Sequence, residues 1–215
     1  ILKGDGAGGF APFSATKYAM GTNPIAIVTG DFNCDGNLDL AVVNAGDKKL
    51  SILLGNGDGT FNAQTEYSAS FFNSVTPTSL VVGDFNGDGI ADIAMAGNAG
   101  GQGYVSILQG DGTGAFTNVT TFSVAVGAGA SSIVAGNFNG AGSLDFAVTN
   151  QTDNTISVML GDGSGTNFTQ ASGSPFSTGS KPAALAIGDF NGDGTLDLAV
   201  AYSGANQVGI FKGIG

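Results

Sequence analysis

The sequence predicts an all-β protein made of four copies of one small antiparallel sheet. Three observations carry that expectation: glycine is abundant, the acidic residues are almost all aspartate, and one Asp/Asn/Gly motif returns at a near-constant interval. Thirty-eight of the 215 residues are Gly and only 11% are charged. That balance disfavours long helices and suits tight turns between short strands. Of the 17 acidic residues, all but Glu66 are Asp. Asp favours caps, turns and metal loops, whereas Glu favours helix.

The motif runs Gly30-Asp31-Phe32-Asn33-Cys34-Asp35-Gly36-Asn37-Leu38-Asp39. It returns from Gly83 to Asp92 and from Gly188 to Asp197, and a weaker copy spans Gly136 to Asp145. The residue after each leading Gly is Asp31, Asp84, Asn137 or Asp189, so the four repeats are 52–53 residues long. A second motif keeps step: Gly55-Asn56-Gly57-Asp58-Gly59-Thr60-Phe61 matches Gly110 to Phe116, Gly161 to Phe168 and Gly4 to Phe10.

Each repeat offers four short strands. In the first full copy, Ile25 to Thr29 is a brief apolar run before the Asp loop. Leu38, Leu40 and Val42 then alternate with Asp39, Ala41 and Val43, a period of two. Leu50 to Leu54 forms a third strand and Gln64 to Ser68 a more polar fourth. A four-stranded unit of this length is what one blade of a β-propeller requires. The phenylalanines at fixed places, Phe32, Phe85, Phe138 and Phe190 with Phe10, Phe61, Phe116 and Phe168, are expected as wedges between neighbouring blades.

Composition narrows the function. The formal net charge is −11, the six basic residues are all Lys, and no basic stripe exists to neutralise phosphates, so nucleic-acid binding is not expected. Histidine is absent, which removes Ser-His and Cys-His nucleophile pairs, His-zinc sites and His acid–base steps. Cys34 has no intrachain disulfide partner. The apolar runs are too short to cross a membrane as a helix, so no membrane insertion is expected. The chain opens on Ile1 in what reads as mid-strand, as a processed chain or an excised piece would.

The Asp loops carry the chemistry. The spacing Asp-x-Asn-x-Asp-Gly-x-x-Asp puts three carboxylates and one amide on alternate positions of a tight turn. Oxygen-only ligands, several of them anionic, suit Ca²⁺ and not Zn²⁺. Three loops are complete: Asp31, Asn33, Asp35 and Asp39; Asp84, Asn86, Asp88 and Asp92; Asp189, Asn191, Asp193 and Asp197. The seventh position, Asn37, Ile90 or Thr195, is expected to offer its backbone carbonyl, which explains its varied side chains. The loop from Asn137 to Asp145 keeps one carboxylate and is expected to bind metal weakly or not at all. Without metal, the same residues would make Asx turns. Against that reading, carboxylates a few Å apart repel at a cost of about 1–4 kcal/mol per pair. Three bound divalent ions would cancel about half of the net charge.

An EF-hand would need Glu at the twelfth position, where Val42, Met95 and Val200 stand, and a helix after the loop. Loop and flanking strands together resemble the FG-GAP/VCBS repeats, the blades of integrin-α-like calcium-binding β-propellers, over essentially the whole chain. The resemblance implies a calcium loop between the first two strands of each blade, with ligand recognition on the opposite face. It places the recognition loops at 17–23, 71–77, 125–130 and 175–182, with 45–49, 97–104, 151–154 and 203–207.

The repeats fall at about 23–75, 76–128, 129–180 and 181–215, with 1–22 expected to complete the last blade of a single ring. A propeller fragment, or a homodimer if four repeats do not close a ring, is the other expectation. The functional expectation is a non-enzymatic, calcium-stabilised, secreted or cell-surface scaffold that binds a protein in adhesion. A lectin that binds glycan between blades or on the loop face is the alternative.

Overall fold

The computed structural model describes residues 1–13, 17–67, 75–118 and 124–215. Among these the fold is all-β, with no helix. A short hairpin, β1 (Leu2–Gly4) and β2 (Phe10–Pro12), opens the chain. Sheet I follows as β3 (Pro24–Gly30), β4 (Asp39–Asn44), β5 (Lys49–Leu53) and β6 (Thr65–Tyr67), in that spatial order. Sheet II contains β7 (Thr76–Gly83), β8 (Asp92–Ala99), β9 (Gln102–Gly110), β10 (Phe116–Asn118) and β11 (Val124–Val126). Sheet III repeats this plan with β12 (Ala130–Gly136), β13 (Asp145–Asn150), β14 (Thr155–Gly161), β15 (Phe168–Gln170) and β16 (Phe176–Ser177). Sheet IV has β17 (Pro182–Gly188), β18 (Asp197–Tyr202) and β19 (Gln207–Phe211).

All pairings are antiparallel, and the first three strands of each sheet pair in chain order, as short loops demand. In sheets II and III the fourth position along the edge is shared by two short strands. Strand β10 pairs one end of β9 and β11 the other, while β15 and β16 divide β14 in the same way. Every first strand carries one register shift, at Pro24/Ala26, Pro77/Ser79, Ala130/Ser132 and Pro182/Ala184. Two of the four, β3 and β17, begin with Pro, which the first residue of an edge strand tolerates, and β7 carries Pro77 at its register shift.

The sheets stack face to face. One core joins sheets I and II through Phe32, Val43 and Ile52 against Leu80, Met95 and Phe116. A second joins II and III through Phe85, Ala96 and Ile107 against Ile133, Val148 and Met159. The third joins III and IV through Ala147, Ile156 and Val158 against Leu198, Val200 and Tyr202. An inner sheet therefore buries both faces, so β8 and β13 are covered at nearly every position. The period-two pattern marks which neighbour each residue meets, not inside against outside.

The arrangement is propeller-like but open. Strand β3 packs on β7, β7 on β12 and β12 on β17, and no comparable packing joins β17 back to β3. The end faces show it: Val208 in sheet IV is 67% exposed, whereas its counterpart Ile156 in sheet III is fully buried. At the other end Ile27 is 60% exposed against 5% for its counterpart Leu80. The hairpin strands β1 and β2 pair with each other and not with β19.

Two phenylalanines at the same repeat position test this stacking. Phe85 is 1% exposed between sheets II and III, and Phe190 is 53% exposed at the open end. Phe85→Ala is expected to cost about 3–5 kcal/mol in urea unfolding. Phe190→Ala is expected to cost less than about 1 kcal/mol. Equal losses would contradict the stacking order.

Candidate metal centre

The loops at 31–38, 84–91, 137–144 and 189–196 each join the first and second strands of a sheet. Antiparallel pairing puts them at one edge, next to the Gly-rich turns that follow the third strands. The last Asp of each loop fixes that neighbourhood. Asp39 accepts the Phe32 N–H through Oδ2 at 2.8 Å and the Gly55 N–H through Oδ1 at 2.7 Å. Asp92 accepts from Phe85 and Gly110, both at 2.9 Å. Asp145 accepts from Phe138 at 2.8 Å and Gly161 at 2.9 Å, and Asp197 from Phe190 at 3.0 Å and Gly213 at 2.8 Å. All four carboxylates are buried. Each holds the start of its own loop and the end of the third strand to one point.

The exposed part of each complete loop is wound on the first carboxylate. Asp31 accepts from Asp35 N at 3.1 Å and Gly36 N at 2.9 Å. Asp84 accepts from the N–H groups of Gly87, Asp88 and Gly89. Asp189 accepts from those of Gly192, Asp193 and Gly194. The amides of Asn33, Asn86 and Asn191 accept from the residue two on. The middle carboxylates of Asp35, Asp88 and Asp193 accept the N–H of Asn37, Ile90 and Thr195. The structure thus brings the sequence-predicted donors of each loop into one turn. Among the described residues, no three acidic or thiol side chains converge as a ready-made metal group.

The donor chemistry nonetheless fits a hard cation. The side-chain donors are all oxygen, in three exposed loops carrying three carboxylates each. Asp35, Asp189 and Asp193 are held anionic. Asn37 N–H and the Asn33 amide hold Asp35 below the usual carboxylate range. The Gly194 N–H does the same for Asp189, and the Thr195 hydroxyl for Asp193, which also faces Lys212 at 3.1 Å. Burial pushes Asp92 the other way, against its two N–H donors, with Asp88 and Asp84 adding like charge.

The fourth loop departs where the sequence does. Asn139 still accepts the Ala141 N–H at 2.9 Å, but the buried Oδ1 of Asn137 has no partner. Asp145 keeps its clasp, and burial raises its pKa. Sequence reasoning counted this Asp only as the remaining carboxylate of a loop held by Asx bonds and missed the clasp to Gly161. The signal was available, because the residue persists in the loop that lost the other two carboxylates. Cys34 is exposed and has φ 58°, where Gly87, Gly140 and Gly192 take φ 76°, 70° and 76°. The position demands a left-handed backbone, which a side chain adopts at a cost of about 1 kcal/mol.

The opposite edge is also tied down. Thr22 O accepts from Gly46 N, and Asp47 accepts from Thr22 N. Ala128 O accepts from Thr152 N, and Asp153 accepts from Ala128 N at 2.7 Å. Lys181 O accepts from Ser203 N. In sheets I, III and IV the incoming link is therefore bonded to the second-to-third strand turn of the same sheet. Of the expected recognition loops, residues 71–74 lie outside the described residues, and the rest occupy this edge. Tyr18, placed by sequence in such a loop, docks on Phe61 instead, with rings 5.5 Å apart and its hydroxyl accepting the Phe61 N–H.

Two outcomes follow from the bonds at the loop edge. Asp145→Asn would turn an amide donor toward one of two buried N–H groups. A loss of about 1–3 kcal/mol is expected with chelator present, because the clasp acts without metal. Wild-type stability would remove the clasp's role. In the Gly-rich turn, the Ser164 hydroxyl, the Asn167 amide and the Ser164 N–H lower Asp162 to about 2. The folded pKa lies below the unfolded one, so this contribution is present above the ordinary value and is lost as pH falls toward 2. Carbon-detected NMR titration is expected to show that midpoint, and Ser164→Ala to move it up toward 3.8.

The FG-GAP-like repeat profile matches three overlapping segments, residues 38–95, 84–148 and 137–200. No curated protein matches. One matching solved structure is described as the crystal structure of BBS1N in complex with ARL6DN, soaked with lead. That alignment has 14% identity and a TM-score of 0.49 and covers 92% of this chain and 58% of the other. With the matched segments running unbroken from residue 38 to residue 200, the chain belongs to the family of FG-GAP-like repeats.

Proposed function

We propose that the chain is a calcium-stabilised, non-enzymatic binding scaffold that works outside the cell and recognises a protein. The observation that carries this reading is the contrast between its two edges. One edge bears three complete oxygen-only loops whose exposed carboxylates accept backbone N–H groups. The other bears paired loops fixed by hydrogen bonds to each other, a surface that loses little conformational freedom when a partner docks.

Asp31, Asn33, Asp35, Asp39 and the Asn37 carbonyl would hold one ion. Asp84, Asn86, Asp88, Asp92 and the Ile90 carbonyl would hold a second. Asp189, Asn191, Asp193, Asp197 and the Thr195 carbonyl would hold a third. A bound Ca²⁺ supplies positive charge that cancels repulsion among the carboxylates of each loop. Exposed loop sites of this kind fill at extracellular calcium levels, which supports a secreted or surface location. The absence of His and Arg supports a non-catalytic role. So does the engagement of the loop carboxylates with the backbone.

Thermal unfolding with and without chelator tests the reading. At calcium a hundredfold above Kd, each site adds about 2.7 kcal/mol. Chelation is expected to lower the melting temperature by about 5–10 °C per occupied site. Asp88→Ala should remove one site from a calorimetric titration. An unchanged melting temperature would overturn the calcium assignment. Saturable binding on a glycan array would turn recognition from protein to carbohydrate.

A further inference from the structure

Four places in the chain carry Asn followed by Gly: Asn56-Gly57, Asn86-Gly87, Asn139-Gly140 and Asn191-Gly192. The last three occupy the third and fourth positions of an Asp loop, where the first loop has Asn33-Cys34. Such a pair can cyclise on itself, because a Gly nitrogen has no neighbouring Cβ to block its approach to the Asn Cγ. The nitrogen must shed its proton and attack as an anion. What surrounds it therefore sets the rate.

In two of the complete loops that nitrogen is engaged. Gly87 N donates to Asp84 Oδ1 and Gly192 N to Asp189 Oδ1, both at 2.7 Å. The bond favours the protonated nitrogen and the carboxylate repels the anion, so both effects oppose attack. Asn86 Nδ2, the group that would leave, is also held, donating to Asp88 Oδ2 at 2.8 Å. The fourth loop has Asn137 in place of the first carboxylate and Ala141 in place of the second. Among the described residues nothing accepts the Gly140 N–H, and Gly140 is exposed. The Ala141 N–H still donates to Asn139 Oδ1 at 2.9 Å, where negative charge collects when Cγ is attacked. This loop keeps the donor that helps the reaction and lacks the carboxylates that hinder it. Asn56 stands between the two cases, with Asp58 beyond Gly57 and its Nδ2 donating to Thr60 Oγ1 at 2.9 Å.

We propose that Asn139 is a self-modification site, the Asn-Gly pair of the Asp loops left free to deamidate. Gly140 N bonds to Asn139 Cγ and the Cγ–Nδ2 bond breaks. Nδ2 leaves as ammonia, taking up the proton that Gly140 N gave up. Water then opens the cyclic imide. Attack at Cγ restores the ordinary backbone as Asp, and attack at the main-chain carbonyl leaves the chain running through Cγ as isoaspartate. Nothing is oxidised or reduced, and water is the sole co-reactant. Either product adds negative charge to the loop between β12 and β13, and isoaspartate also lengthens its backbone. The loop that lost its carboxylates is thereby the one whose charge changes as the molecule ages.

Incubation of the full chain in mildly alkaline buffer, followed by peptide mass mapping and isoaspartate-specific methylation, tests this. Chelator is present throughout, so the result does not depend on the calcium reading. Asn139 is expected to convert about tenfold faster than Asn86 or Asn191. Asn137→Asp returns an acceptor for the Gly140 N–H and should slow Asn139 by about the same tenfold factor. Asp84→Asn takes the carboxylate from Gly87 and should speed Asn86. The wild-type order of rates is readable without either variant. Conversion at Asn139 no faster than at Asn86 and Asn191 would overturn the proposal. An unchanged Asn139 rate in a folded Asn137→Asp chain would do the same.

Discussion

The structure depends on a buried carboxylate that accepts two backbone N–H groups from different segments. In every repeat the Asp at the start of the second strand bonds the Asp-loop Phe and the Gly at the end of the third strand. A charged acceptor with two short bonds is strong enough to be kept inside, and it leaves neither N–H orphaned. The same bond aims the Phe ring, because the residue whose N–H is captured is the wedge itself. Loop conformation, sheet closure and inter-sheet packing therefore share one anchor.

From that anchor the architecture grows by nearest neighbours. Each core belongs to two adjacent sheets. Stability in such a series is close to a sum over units and junctions. The small residues follow from the close approach. At Gly114 an added Cβ would press on Leu54 of the preceding sheet, and Gly114 N donates to Phe32 O at 2.9 Å. A larger residue there would hold sheets I and II apart.

Much of this was legible in the sequence. The interval between Asp31, Asp84, Asn137 and Asp189 placed the four first-to-second strand loops, and the strands fall within a residue or two of their apolar runs. The eight phenylalanines were legible as wedges, and Phe32, Phe85, Phe116 and Phe168 occupy that role. In the three complete loops the clasp was hidden, because a ligand and a backbone acceptor call for the same residue, Asp, at the same spacing; only the survival of Asp145 in the fourth loop pointed to it. Nor was the split fourth strand, since β11 and β16 are three and two residues long and carry too little pattern to count. The partner of Tyr18 was hidden for a related reason: Phe61 is distant in sequence, and no period links them without the Tyr67–Phe116 example.

Cys34 stands on the outer turn of the first loop, where its counterparts are glycine, and its sulfur lies beside the Gly112 turn of the next sheet. As the chain's sole thiol, it marks one chosen junction among several near-identical ones. A fluorophore attached there would report on the first loop and its neighbour alone, turning an averaged signal from a repetitive molecule into a local one.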